Sequence, residues 1–410
     1  MRNSLALTWP KEGLTRVPYA LYGREDVYAE ERASIFRGPS WSYLCLEVEL
    51  PNPGDYRATF VGDIPVIVAR DMDGSLNAFE NRCAHRGALL CFKRGGHGRE
   101  ISCVYHNWTY DLRGNLIGVA FERGIDRKGG MPPDFKREDH ALRRLRVENF
   151  AGLVFGTFSP DAPTLADYLG EAIAARIRRV LCKPVAVLGY SSQMLPNNWK
   201  IYVENNRDSY HASLLHTFFT TFRVNRLSQE GGIIVDDSGG HHVSYSKRAT
   251  DKASREYDSA KLRASRDDYR LADPSLLDGR DEFGDGITLQ ILTVFPTFVL
   301  QQVQNSLAVR QVVPRGVGQT ELFWTHLGFT DDDAAMRAIR LKQSNLVGPG
   351  GYISLEDGAV GGFIQRALPA SGDESSIVTM GGADARSQDT RATETAVRGF
   401  WKAYRGMMGV

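Results

Sequence analysis

The side chains best able to do chemistry are concentrated at residues 81–111, NRCAHRGALLCFKRGGHGREISCVYHNWTYD, where Cys83-x-His85 is followed after seventeen residues by Cys103-x-x-His106. Thiolate and imidazole are metal ligands, and two short chelating pairs brought together by a hairpin make one four-donor site. A structural zinc would favour pairs of one kind, cysteine with cysteine and histidine with histidine. Here each pair is mixed. That interleaving suits a [2Fe-2S] cluster in which one iron takes both cysteines and the other both histidines, and zinc is the alternative left open. Imidazole in place of two thiolates raises the reduction potential, so such a centre readily accepts electrons. Cys91, inside the loop, reads as a packing residue or an adventitious thiol.

A second constellation lies downstream in NNWKIYVENNRDSYHASLLHTFF, which spaces its polar residues as Glu204-x3-Asp208-x2-His211-x4-His216. On one uninterrupted helix Glu204, Asp208 and His211 share a face. His216 falls about 140° round from His211, so the helix is expected to end or bulge near ASLL if both imidazoles serve one ion. Two histidines and one carboxylate on one face of iron(II) leave positions open for O2. Spacing does not choose the carboxylate, because the chain holds 49 acidic residues.

The elements that must position these residues are of two kinds. From about Trp41 to Phe158 the chain reads as short strands separated by turn signals, with hairpins at Asp73-Gly74 and Arg113-Gly114, so the four Cys and His residues lie in loops of a small all-β module. SPDAPTLADYLGEAIAARIRRVL then switches to helical spacing, which places a boundary near residue 159. Beyond it, strand-like segments (HHVSYS, TLQILTVF, TFVLQQVQNSLAVRQVV, TELFWTHLGF) alternate with helical ones (DDDAAMRAIRLKQSNLV and RATETAVRGFWKAYRGMM). The charged stretch between residues 247 and 286 reads as a solvated excursion or a helical cap.

The 410 residues carry 50 Lys and Arg against 49 Asp and Glu, a formal charge of +1 that offers no electrostatic footprint for nucleic acid or an anionic membrane. With 42% hydrophobic residues the chain has enough apolar mass for two cores. No apolar run is long enough for a signal peptide or a membrane span, and five scattered cysteines do not make a disulfide framework, so a cytoplasmic protein with reduced thiols is expected. A GxGxxG fingerprint and a plant-type ferredoxin cysteine set are missing, so flavin and NADH chemistry is expected on another polypeptide.

NRCAHRGAL, LPNNWK, DSYHASLLH, NRLSQ, SGGHHVSYS and LEDGAVGGF together resemble the large (α) subunit of the Rieske non-heme iron aromatic ring-hydroxylating dioxygenases, essentially end to end. The resemblance implies an α+β chain: an N-terminal all-β Rieske [2Fe-2S] domain over 41–158, and a helix-grip catalytic domain on an antiparallel sheet over 1–40 and 159–410. Cys83, His85, Cys103 and His106 would hold the cluster, and His211, His216 and Asp357 the mononuclear Fe(II), with Glu356 of the same acidic doublet as the competitor. Asp208 would bridge a Rieske histidine (His106 here) of one subunit to an iron-ligating histidine (His211) of the next, in a head-to-tail trimer.

Within the family the likeness is greatest to the group acting on terephthalate, which is related to those hydroxylating anthranilate, salicylate and halobenzoates. Ser244, Arg310 and Arg391 then correspond to the residues that meet the substrate carboxylates. Taken by themselves, the two arginines read as surface residues. O2 is the implied co-substrate, and a flavin and iron–sulfur reductase carrying NADH and a small β subunit are the implied partners. A Rieske electron carrier and a zinc-stabilised binding protein are the competing readings. Both leave most of the chain unexplained.

Overall fold

The computed structural model describes residues 8–248, 259–260, 262–266 and 268–410. By contact the chain divides into two compact units, Phe36–Leu165 and the remainder, Met1–Ile35 with Ala166–Val410.

The smaller unit contains β1 (Ser42–Leu46), β2 (Asp55–Val61), β3 (Ile64–Arg70), β4 (Leu76–Glu80), β5 (Gly95–His97), β6 (Glu100–Ser102), β7 (Thr109–Asp111), β8 (Leu116–Gly118), β9 (Arg144–Phe150) and β10 (Leu153–Thr157). They form a seven-stranded sheet in the order β1-β10-β9-β4-β3-β2-β5 and a three-stranded sheet β6-β7-β8. Both anticipated hairpins are present. The β3–β4 turn has Gly74 at φ 86° and the β7–β8 turn has Gly114 at φ 81°, backbone values that glycine adopts without strain. The core of Ile67, Phe79, Leu90, Trp108, Tyr110 and Leu112 also buries Cys83 and Cys103. The expected strand WSYLCLEVEL is shorter than its apolar pattern, because Glu47–Glu49 turns into a 3-10 helix with the Glu49 carboxylate accepting from the Leu46 N–H.

The larger unit is built on a seven-stranded antiparallel sheet. Its strands are β11 (Val185–Leu195), β12 (Gly231–Val235), β13 (His242–Lys247), β14 (Ile287–Val294), β15 (Phe298–Val303), β16 (Ser306–Pro314) and β17 (Thr320–Phe329). They are ordered β11-β17-β16-β15-β14-β13-β12. The helices are α1 (Leu165–Val180), α2 (Trp199–Arg207), α3 (Ser209–Leu215), α4 (Thr217–Thr221), α5 (Ala334–Val347), α6 (Tyr352–Ala367) and α7 (Thr395–Met408). α1 is interrupted at Gly170, φ 66°. The segment TFVLQQVQNSLAVRQVV is two strands rather than one, because Gln304 takes φ 54° and turns the chain.

Residues from the N-terminal segment complete this unit. Helix Glu25–Glu31 ends at Glu31, whose buried carboxylate accepts from Lys200 Nζ (2.6 Å), Tyr404 Oη (2.6 Å) and Trp199 Nε1 (2.7 Å). In the charged excursion, 249–258, 261 and 267 lie outside the described residues. From 268 to 286 it is turns and bends with a 3-10 turn at Pro274–Leu277. Among the described residues no helix is long and apolar enough to cross a membrane.

Candidate metal centres and the adjoining cavity

In the smaller unit, Cys83 and Cys103 open two loops of the same design. Each cysteine N–H donates to the carbonyl five residues on (Ala88 and Trp108, both 2.8 Å), and each cysteine carbonyl accepts from the N–H four residues on (Gly87 and Asn107, both 2.9 Å). Gly87 and Asn107 both have positive φ, 76° and 54°, which closes the turns. The repeat places both sulfurs inside and both histidines at the surface end. The His85 and His106 rings stand edge to face with centroids 4.6 Å apart, and His85 stacks on Trp108 at 4.7 Å.

The Nδ1 of His106 is buried with no hydrogen-bond partner, as expected of an imidazole shaped for a metal. The Cys83 Sγ lies 3.4 Å from the Tyr110 hydroxyl, which also accepts from the Ala84 N–H. Burial raises the Cys83 thiol pKa, and burial together with neighbouring His106 and Arg86 lowers that of His85, so the imidazole is neutral and available as a ligand. Among the described residues, only His211, His216 and Asp357 bring three His, Cys, Asp or Glu donor atoms within 4.8 Å of one another. Two cysteines brought together inside and two histidines brought together at the surface end suit a two-iron cluster, one iron taking each kind of donor.

In the larger unit the sequence pattern is realised differently from the single helix face expected of it. Asp208 leaves the helical region (φ −85°, ψ 95°) and breaks the run into α2 and α3. Its carboxylate caps α3, accepting from Tyr210 N (2.9 Å) and His211 N (3.2 Å). Aspartate favours that capping position because its side chain replaces the missing intrahelical acceptor. Glu204 therefore does not share a face with His211. It accepts from the Tyr22 hydroxyl and lines a separate cavity that also reaches Asp208, His211 and Asp357. The expected helix end before His216 is present: α3 stops at Leu215, and His216 is a non-helical junction to α4 (φ −81°, ψ 97°).

The Nε2 atoms of His211 and His216 lie 3.3 and 3.4 Å from Asp357 Oδ1, which comes from α6. Each ring has a carboxylate behind it. Glu356 Oε2 is 2.7 Å from His216 Nδ1, and Asp208 Oδ2 is 3.3 Å from His211 Nδ1, an ion-pair distance without good hydrogen-bond alignment. Both carboxylates sit behind Nδ1, so that a proton kept there leaves Nε2, which faces Asp357, as the atom a metal ion would take. Asn205 Nδ2 bonds Asp357 Oδ1 at 3.1 Å.

Burial works against charge here, yet Asp208 and Asp357 push His211 up to about 10, and His216 and His211 hold Asp357 well below the carboxylate range. Anionic oxygen surrounded by imidazoles in a buried pocket is the electrostatic signature of a cation site. Glu356, the sequence competitor for Asp357, is thus an orienting partner of His216. Neither that role nor those of Asn205 and Tyr110 could be told from spacing.

The trio opens on a cavity lined also by Ser244 on β13, Arg310 on β16, Trp324 on β17 and Arg391. Arg310 and Arg391 are 5% and 1% exposed, contrary to their surface reading taken alone. Arg310 Nη1 donates to Tyr202 Oη (2.8 Å), and its guanidinium lies over the Trp324 ring at 4.7 Å. Arg391 precedes α7 and is held by Asn225 Oδ1 and the Arg226 carbonyl. Among the described residues the acids on the cavity lining are Asp208 and Asp357, both beside the histidines, and the cations on it are Arg310 and Arg391.

Fold and donor sets define the class: a two-unit chain with a paired Cys/His loop motif in an all-β unit, and a two-histidine, one-carboxylate cavity in an α+β unit. Residues 40–126 match the Rieske [2Fe-2S] domain, and residues 174–410 the ring hydroxylating alpha subunit (catalytic domain). The chain belongs to the ring-hydroxylating dioxygenase alpha-subunit family and is an oxidoreductase. It is 55% identical over 409 residues to the terephthalate 1,2-dioxygenase terminal oxygenase component subunit alpha 2 of Comamonas sp, covering 100% of this chain and 99% of that one. It is 43% identical to the anthranilate 1,2-dioxygenase large subunit of Burkholderia cepacia, over 98% of this chain and 95% of that one. The solved structure of naphthalene 1,2-dioxygenase from Rhodococcus sp. bound to indole shares the fold, with TM-score 0.77 at 22% identity over 96% of this chain and 94% of that one.

Proposed function

We propose that this chain is the terminal oxygenase of a multicomponent system that adds both atoms of O2 to an aromatic dicarboxylate, terephthalate, as a cis-dihydrodiol. The observation that carries the reading is the pair of buried guanidiniums, Arg310 and Arg391, on the wall of the cavity that also holds His211, His216 and Asp357. An arene bearing two carboxylates enters a buried cavity only if each anion meets charge-assisted donors, and arginine's planar fork matches a carboxylate. The identity to the terephthalate enzyme supports the same assignment. A monocarboxylate such as anthranilate is the second reading, supported by the 43% identical relative, with salicylate and halobenzoates behind it.

In this reading Cys83, His85, Cys103 and His106 hold the cluster in a Rieske domain over 41–158. His211, His216 and Asp357 hold iron(II) in a catalytic domain formed by 1–40 and 159–410. When bound, these groups supply single-electron delivery and O2 activation. The chain's own part is positional. Arg310, Arg391 and Ser244 fix the substrate carboxylates, Trp324 supports the Arg310 plane, Asp208 and Glu356 keep both histidines in the donating tautomer, and the apolar wall keeps bulk water from the reacting ring.

Asp208 is also the route by which an electron leaves a neighbouring subunit's Rieske histidine for His211. Partners are a flavin and iron–sulfur reductase that takes electrons from NADH, a small β subunit, and further copies of this chain in a head-to-tail trimer. Exposed apolar side chains beside the Cys/His loops, Phe92, Val104 and Tyr105, suit a surface that docks on protein.

The test is a single turnover of the reduced, iron-loaded protein with terephthalate, anthranilate, salicylate and phthalate, with products identified by mass. A cis-dihydrodiol from terephthalate alone is expected. Turnover of anthranilate or salicylate in its place would replace the two-carboxylate reading by the second one.

A further inference from the structure

One polar side chain on the cavity wall is used by neither the metal trio nor the arginines. Gln301 lies in β15, is 2% exposed, and its Nε2 has no hydrogen-bond partner among the described residues. Strand registers fix its direction. Gln301 stands opposite Ile291 of β14 and Ala308 of β16, and Ile291 in turn stands opposite Ser244 of β13. Val299, two residues earlier on the same face, stands opposite Arg310, which is opposite Trp324. Side chains alternate along a strand, so Gln301 shares the sheet face that presents Ser244, Ile291, Arg310 and Trp324 to the cavity, and it lines that cavity with them.

Its cross-strand neighbours Ile291 and Ala308 have no side-chain acceptor. The adjacent amides of the sheet are spent differently: Gln302 Nε2 donates to the Ile287 and Gln304 carbonyls, and Gln290 Nε2 to the Arg176 carbonyl. A buried donor left unbonded is destabilising, so a glutamine where leucine or methionine would pack calls for an explanation outside the folding of the chain.

We propose that Gln301 is a specificity-determining residue whose Nε2–H donates to a carboxylate oxygen of the aromatic substrate. This deepens the proposed function and rests on its reading that the cavity takes an aromatic carboxylate. A neutral amide suits this role, since it reads the position of an oxygen while leaving the charge balance at two guanidiniums for two carboxylates. It also discriminates, because a substrate with a methyl group in that position leaves the amide unbonded.

The test is titration of the metal-loaded protein with terephthalate by calorimetry, for wild type, Gln301→Met and Gln301→Leu, alongside thermal unfolding of each. Methionine matches glutamine in volume and has no N–H. The expected result is terephthalate affinity weakened roughly tenfold to a hundredfold with an unfolding temperature equal to or above wild type. Affinity within about twofold of wild type in either variant overturns the proposal, as does a parallel fall in affinity and unfolding temperature in both, the signature of a packing role. A wild-type protein that binds none of terephthalate, anthranilate and benzoate overturns the aromatic-carboxylate reading itself, and is told apart from failure of Gln301 alone.

Discussion

At the scale of single residues, the two donor sets separate cleanly by what stands behind each ligand. Asp357→Ala should empty the mononuclear site while the cluster's visible absorbance persists; iron analysis that finds full occupancy in that variant would remove Asp357 from the ligand set. Glu356→Gln keeps the size of the side chain but weakens its hold on the His216 proton, so iron affinity should fall by roughly 10- to 100-fold with the ligands intact. The Tyr110 hydroxyl lies 3.4 Å from the Cys83 sulfur, where it can only donate once that sulfur is a metal-bound thiolate, and a hydrogen bond to sulfur favours the more negative, reduced cluster. Removing it in Tyr110→Phe costs about 1.4 kcal/mol of that preference, so the potential should drop by about 60 mV in a redox titration. An unchanged potential would make Tyr110 a support for Ala84 alone. Arg391→Ala should weaken terephthalate by about 10- to 100-fold and benzoate far less, because a charge-assisted pair to one carboxylate is lost.

At the scale of elements, Asp208 does two jobs that substitution can separate. As the cap of α3 it is worth about 1 kcal/mol. Asp208→Asn keeps a capping oxygen and loses the negative charge behind His211, whereas Asp208→Ala loses both. The alanine variant should therefore unfold more easily than the asparagine one, while both keep their metals and both slow electron arrival at the mononuclear centre in stopped-flow reduction. The helix break itself shows where sequence reasoning stops. The spacing from His211 to His216 required a helix end, and α3 ends between them. The break at Asp208 carried no such signal, because i, i+4, i+7 spacing also describes a continuous helix and only the capping geometry decides. The Rieske loops were legible because four donors of two kinds on two turns have few alternative meanings. Arg310 and Arg391 were not legible by themselves: burial of a guanidinium depends on Tyr202, Trp324 and Asn225, which lie in distant parts of the chain.

At the scale of the whole molecule, buried charge in the larger unit sets stability. Burial raises Glu204 to about 7, against the lowering influence of Tyr22, Trp401 and Lys200. In the unfolded chain this carboxyl would ionise near its ordinary value of 4.5. The folded state therefore holds the proton more tightly, and its stabilising effect is complete below pH 4.5 and lost as pH rises through 7. Because Glu204 also borders a cavity, the effect is on the order of 2 kcal/mol, and Glu204→Gln should flatten the stability profile between about pH 5 and 8 in denaturant titrations. The short strands and both hairpins of the smaller unit followed from strand and turn patterns, whereas the antiparallel sheet of the larger unit was implied by the family resemblance. The participation of residues 8–35 in the larger unit did not follow from those patterns, because it rests on contacts with distant parts of the chain: the cluster of Glu31 with Lys200 and Tyr404, Tyr22 with Glu204, and Arg16–Pro18 paired with Ser375–Ile377.

That cluster also sets a timetable. Glu31 reaches residues 169 and 373 positions further on, and the unit it closes is interrupted by Phe36–Leu165, a continuous stretch with its own core. On the ribosome the inserted stretch has all its strands at hand early. In the surrounding unit Glu31 meets Trp199 and Lys200 first, and its cluster is complete only once Tyr404 has emerged. Nested assembly, inner piece first and outer piece last, is the order this chain layout leads one to expect.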